Sequence, residues 1–252
     1  MLTLKTFLII GPLCFLGGMV DAIGGGGGLI TLPAFLLAGL PAHTAIGTNK
    51  LQSVLHCGVS AARYAKNGFI LWRLMPAALA GAILGAALGA RLNLVVDEAV
   101  LRYVLPCVLP VCAFFVLRKK SFAGDENAAP PANAKTMVQI FAVSLVVGGY
   151  DGFFGPGAGT FLIMGFSLLL HMGVRYAGGS ARLINFTTCL SSGVVYFIHG
   201  QVVLLPALAA GACAMLGSWL GAGLAMKNGA KIVRPVILLV LTLLLLKILF
   251  GW

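Results

Sequence analysis

Asp21-Ala22-Ile23-Gly24-Gly25-Gly26-Gly27-Gly28 and Asp151-Gly152-Phe153-Phe154-Gly155-Pro156-Gly157-Ala158-Gly159 interrupt two long apolar stretches in the same way. Each places an acid and then a cluster of glycines where the chain is otherwise hydrocarbon. Five consecutive glycines cannot hold a stable helix, since each costs about 1 kcal/mol relative to alanine. About 30 residues after each break, a lone basic residue lies inside an apolar segment: Gly47-Thr48-Asn49-Lys50-Leu51, then Gly179-Ser180-Ala181-Arg182-Leu183. Interruptions at corresponding places in two halves point to a transporter binding site built from discontinuous membrane helices.

The bulk composition agrees. Of 252 residues, 60% are hydrophobic and 9% charged, and the mean hydropathy is +1.04. A soluble domain carries roughly 25% charged residues, so the chain reads as an all-α polytopic membrane protein. The net charge of +11 comes from 17 basic and 6 acidic residues. The bases sit in short loops between apolar runs rather than on a polar face interleaved with aromatics, which excludes nucleic acid as a partner. Cys14, Cys57, Cys107, Cys112, Cys189 and Cys213 all lie in apolar stretches without CxxC spacing and read as small buried hydrophobes. Gly17-Gly18-Met19-Val20-Asp21 is a poor signal-peptide cleavage site, so the first apolar run is kept as part of the fold.

A spanning helix needs about 20 apolar residues. Spans are expected at roughly 44–63, 74–92, 98–117, 179–198, 203–226 and 232–250, with two longer stretches, 4–39 and 136–170, holding the breaks. Residues 1–117 then form a first transmembrane repeat and 136–252 a second, joined by the polar, proline-containing linker 118–135. Gly81, Gly85 and Gly89, and Gly217 and Gly221, recur every four residues, a spacing that lets helices pack closely in lipid. If each broken stretch is a re-entrant pair returning to its starting side, eleven loop and flanking bases fall on one face, against only Lys5, Arg91 and Arg102 on the other. If each stretch crosses once, the split is eight against six. Positive charge collects on the cytoplasmic side, so the re-entrant arrangement is expected. It makes the halves inverted repeats, with about eight membrane segments and both termini outside.

Backbone left unpaired at membrane depth is tolerated only where it lines a cavity or is buried in protein. The amides of Gly25, Gly26, Gly27 and Gly28, and of Gly155, Gly157 and Gly159, can point at one spot at the start of a half-helix, where the dipole attracts anions. Lys50 and Arg182 add full charge, and Asn49 and Asn185 can donate to an oxyanion or bond across helices. Asp21 and Asp151 carry three readings: proton coupling, helix capping, and structural ion pairs with Lys50 and Arg182. The glycine run is no phosphate loop, because no Gly-Lys-Ser/Thr follows it. His43, His56, His171 and His199 lack metal-ligand spacing, and Ser180 and Ser192 have no identifiable base for an enzyme, so neither metal nor cofactor is expected.

Asp21 to Pro33 with Gly47-Thr48-Asn49-Lys50-Leu51 resembles the first signature of the sulfite exporter TauE/SafE permeases. Tyr150 to Thr160 with Arg182-Leu183-Ile184-Asn185 resembles the second, in the form found in the bacterial inner-membrane branch. The resemblance implies an eight-helix-like, multi-pass inner-membrane permease, not an enzyme, moving sulfite, sulfoacetate or related organosulfonates by alternating access. Its partners would be that anion, the bilayer and protons, with a homodimer allowed. Arg182 stands where relatives often carry lysine, and its planar guanidinium can grip an oxyanion bidentately. An anion channel, a membrane enzyme and a non-transporting assembly factor are the competing classes.

Overall fold

The computed structural model describes residues 4–97, 128–229, 231–232 and 235–236. The expected span 98–117, most of 232–250 and residues 118–127 of the linker lie outside them. The described chain is all-α. Eight helices follow in order: α1 Leu4–Gly24, α2 Gly28–Leu37, α3 Ala42–Lys66, α4 Met75–Val95, α5 Ala134–Phe153, α6 Ala158–Leu169, α7 Val174–Ile198 and α8 Leu204–Asn228. The two interrupted stretches thus become α1/α2 and α5/α6, as the glycines require.

Burial is inverted relative to a soluble protein. The outward faces carry Leu84, Leu88 and Leu92 on α4 and Leu205, Leu208, Leu216 and Leu220 on α8, while Asp21, Lys50, Asp151 and Arg182 are at most 5% exposed. Only a hydrocarbon solvent favours that exchange. Four described segments are long and apolar enough to cross a membrane: Trp72–Val95, Ala134–Phe153, Val174–Ile198 and Leu204–Asn228. The helix α3 misses that standard because its inward face carries Asn49, Lys50, Gln52, Ser53 and His56, all buried.

Packing fixes the direction of each element. Phe15 and Met19 of α1 meet Gly217 and Gly221 of α8 in order, so these helices run parallel. Reciprocally, Leu145 and Gly149 of α5 meet Gly85 and Gly89 of α4. Each half of the described chain therefore packs its first helix on the last described helix of the other half, and the fourfold glycine spacing is what lets the backbones touch. Asp21, near the end of α1, lies beside His56, which is 14 residues into α3. Leu55 and Arg63 of α3 meet Gly211 and Gly223 of α8 in order, so α3 runs parallel to α8 and to α1, and residues 28–41 must run back about 20 Å toward the end where α1 began. Asp151 beside Cys189 repeats the relation in the second half. Between the halves, Gly47 meets Tyr196, Lys50 meets Gly193, Gly58 meets Phe186 and Tyr64 meets Gly178, so α3 and α7 cross antiparallel.

This close packing makes a testable demand. A Cβ at Gly85 would overlap the backbones of Leu145 and Gly149, whereas one at Gly149 meets only the Gly85 carbonyl at an ordinary 3.7 Å. Gly85→Leu should lower unfolding stability in detergent by about 1–3 kcal/mol, and Gly149→Ala should leave it near wild type.

Candidate functional site

The glycines end the helices in equivalent ways. Four residues after each acid the backbone turns left-handed, at Gly25 (φ 79°) and Gly155 (φ 102°), and Gly157 (φ 84°) then opens α6. Only glycine adopts such angles without steric cost. Each stopped helix leaves carbonyls that need donors. Tyr64 OH donates to the Ala22 carbonyl at 3.4 Å and Tyr196 OH to the Gly152 carbonyl at 3.0 Å. Thr160, on the second break, donates its hydroxyl to the Gly24 carbonyl of the first at 2.7 Å.

The two breaks touch. A Cβ on Gly25 would overlap the backbone of Gly159 and Thr160, and Gly28 lies against Pro156. Around this meeting point the acids and bases pair across the halves. Arg182 Nη1 donates to Asp21 Oδ2 at 2.5 Å, and Lys50 Nζ donates to Asp151 Oδ1 at 2.8 Å. Of the three readings left open for the acids, ion pairing holds for both. Capping holds as well for Asp21, whose Oδ1 accepts the Gly27 N–H at 3.2 Å.

The four charges cancel, so attraction for an anion must come from groups still unpartnered. Several backbone amides at the two breaks, those of Gly28, Gly155, Gly157 and Gly159 among them, have no backbone acceptor among the described residues. Arg182 Nε and Nη2 are fully buried and have no hydrogen-bond partner among the described residues. The guanidinium lies directly behind Gly159, where a Cβ would strike it. A buried donor left unsatisfied costs about 1–3 kcal/mol, which an oxyanion accepting from the amides would recover.

A small polar cavity lies here, with about 20 Å³ open to the centre of a water-sized sphere. Its lining contains nine residues expected from the sequence: Asp21, Gly28, Asn49, Lys50, Asp151, Gly155, Gly157, Gly159 and Asn185. Gly25, Gly26, Gly27 and Arg182 lie outside that lining. Gly25 is pressed on Gly159, the Gly27 amide is taken by Asp21, and Arg182 stands in the layer behind. Asn49 Oδ1 accepts the Thr31 hydroxyl at 2.6 Å, tying α3 to α2, and Asn185 Nδ2 donates to Cys57 Sγ at 3.3 Å.

Sequence reasoning missed Ser53, His56, Cys57, Cys189, Tyr64 and Tyr196. Helical spacing could have found several. Ser53 and Cys57 follow Lys50 by three and seven residues, and Asn185 and Cys189 follow Arg182 likewise, on one helix face. Cys57 is no inert hydrophobe: its thiol donates to Asp21 Oδ2 at 3.5 Å. His56 Nε2 lies 3.4 Å from the same oxygen, and Gln52 holds its Nδ1 at 3.2 Å. Asp21, His56 and Cys57 could bring three metal-ligand atoms within 4.8 Å of one another, but the Arg182 guanidinium on that carboxylate opposes a cation. Ser192 spends its hydroxyl on the Thr188 carbonyl at 2.7 Å, and Ser180 has no hydrogen-bond partner.

A family model described as "Sulfite exporter TauE/SafE" matches residues 10–248. A probable membrane transporter protein, ORF9, of Sinorhizobium sp is 36% identical over 240 residues, covering 94% of this chain and 89% of that one. A probable membrane transporter protein of Haemophilus influenzae is 32% identical over 245 residues, covering 94% and 93%. The probable membrane transporter protein YfcA of Escherichia coli K12 is 32% identical over 260 residues, covering 97% and 91%. No solved structure matches the chain. Two matching signatures, an all-α fold and a family match along nearly the whole chain converge: the protein belongs to the TauE/SafE sulfite exporter family.

Proposed function

We propose that this chain is a secondary transporter for a small anion, sulfite or an organosulfonate, and that it works in a bacterial inner membrane by alternating access. One observation carries the reading: two glycine tips with unpartnered amides meet beside Lys50 and in front of a guanidinium with two unengaged nitrogens. Helix N-termini with free N–H groups select anions, and the buried guanidinium behind Gly159 adds positive potential from outside the cavity lining. A compact, tetrahedral or pyramidal oxyanion can take several such bonds at once. The names of the relatives, probable membrane transporters, support a permease and count against an enzyme. Residues 1–117 and 136–252 act as the two moving repeats, with 118–135 as their tether.

Movement follows from the antiparallel crossing of α3 and α7. At one end Gly47 packs under Gln201, and at the other Gly179 packs under Phe69. Loosening either contact while keeping the other exposes the central cavity to one side at a time.

Flux into proteoliposomes tests this reading. Labelled sulfite and sulfonates should enter saturably and be competed by each other, whereas a channel would pass them without saturation and an assembly factor not at all. Lys50→Ala should reduce uptake efficiency by roughly ten- to a hundredfold, the equivalent of losing one charged hydrogen bond of about 1.5–3 kcal/mol. Unchanged uptake in that variant would remove Lys50 from the site.

A further inference from the structure

The two ion pairs occupy matching positions, yet they are built differently. Both oxygens of Asp21 are engaged: Oδ2 by Arg182 at 2.5 Å, with Cys57 Sγ at 3.5 Å and His56 Nε2 at 3.4 Å, and Oδ1 by the Gly27 amide at 3.2 Å. Asp151 is held at one oxygen, by Lys50 at 2.8 Å, and among the described residues its Oδ2 has only the Cys189 thiol, at 3.8 Å. Asp151 and Lys50 both line the cavity, whereas Arg182 does not. Arginine cannot lose its proton in a protein, so Asp21 keeps a permanent cation, three further contacts and its charge. Asp151 depends on a single cation that is itself exposed to the guest.

We propose that Asp151 is the proton-binding site of this transporter, loading one proton for each monoanion that takes Lys50, while Asp21–Arg182 remains ionised throughout. The proposal rests on the transporter reading above. An anion arriving at Lys50 removes the one cationic partner of Asp151 among the described residues and places a second negative charge beside it. Like charges in so dry a site disfavour each other steeply. Protonation of Asp151 relieves that repulsion: its carboxylate takes one proton from the water of the open side, and Lys50 stays an ammonium and pairs with the anion. On release the anion leaves, the carboxyl gives its proton to the other side, and Lys50 returns to Asp151. By reciprocity, each ligand strengthens the other's binding equally. The charge of the site is zero before loading and zero after, so the loaded carrier crosses without moving net charge. The groups facing Asp151 are Lys50 from α3 and Cys189 and Tyr196 from α7, with Asp21, His56 and Cys57 across the cavity on α1 and α3.

The test uses the full chain in proteoliposomes with labelled methanesulfonate, whose charge does not change near neutral pH. Counterflow against unlabelled methanesulfonate inside reports the carrier without any gradient. With the membrane potential clamped, an acid-outside gradient should then drive wild-type accumulation of about tenfold per pH unit, the ratio of one proton per anion. Varying the potential at fixed pH gradient should leave accumulation unchanged. Asp151→Asn, which keeps the shape of the protonated carboxyl, should lose gradient-driven accumulation, and whatever counterflow it keeps should no longer carry protons. Asp151→Glu should restore part of that accumulation. An entrapped pH dye should report acidification of the wild-type lumen on adding anion outside, so the idea stands or falls even if Asp151→Asn is inactive. Gradient-driven accumulation equal to wild type in Asp151→Asn, no proton movement with the anion, or accumulation that follows the potential would each overturn it. Absence of wild-type counterflow would instead overturn the transporter reading for this anion class, and this inference with it.

Discussion

Arg182→Ala is expected to do more damage than any other single side-chain truncation in the site. Removing one partner of a buried ion pair leaves the other charge uncompensated, at a cost of about 3–5 kcal/mol. Asp21 would keep the Gly27 amide, His56 and Cys57 but lose its only permanent cation. The melting temperature in detergent should fall steeply and transport should disappear. Arg182→Lys keeps a charge but gives up the fork, so it should restore stability more fully than transport. Asp21→Asn combined with Arg182→Gln, neutral on both sides, should recover much of the melting temperature and none of the uptake. If Arg182→Ala melts like wild type, the pair is not what holds the two repeats together.

The second large effect is expected at Gly25. Its φ of 79° carries a penalty of about 1–2 kcal/mol for any residue with a Cβ. The added methyl would also meet the backbones of Gly159 and Thr160 rather than a side chain that could swing away. The breaks would have to part, and the Thr160 bond to the Gly24 carbonyl would open. Uptake in Gly25→Ala should drop to the background of empty liposomes. Gly39→Ala supplies the control. It has the same backbone sign, φ 84°, but nothing within 4 Å of its Cβ, so it bears only the strain and should transport nearly as wild type. Normal uptake in Gly25→Ala would show that the contact between the tips is incidental.

Much of the architecture was legible because its cause is local. Glycine runs stop helices wherever they occur, and both stops fall where the runs sit, at Gly24 and just after Phe153. The match of Lys50 with Arg182 was legible too, since similar spacing from similar breaks, 29 residues after Asp21 and 31 after Asp151, is a property of the string. Who pairs with whom was not. Asp21 bonds Arg182 rather than Lys50 because α3 and α7 cross antiparallel, and no spacing within one repeat encodes that crossing. For the same reason Gly85 and Gly217 announced close packing without revealing that each touches a helix of the other half. Nothing in the string marks Tyr64 or Tyr196. Their hydroxyls matter only because a carbonyl orphaned by the break lies within reach. Cys57 and Cys189 were hidden by composition, an apolar neighbourhood in sequence being a poor guide to which face of a helix looks at the site.

The central claim is that the two interrupted helices hold one anion between their amide tips. Crystals grown with selenite, a heavier analogue of sulfite, would locate the guest by anomalous scattering at the selenium edge. The account predicts a single strong peak at the Gly28, Gly157 and Gly159 amides, within hydrogen-bonding reach of Lys50 Nζ. A peak elsewhere, or tips standing apart with no peak between them, would contradict it.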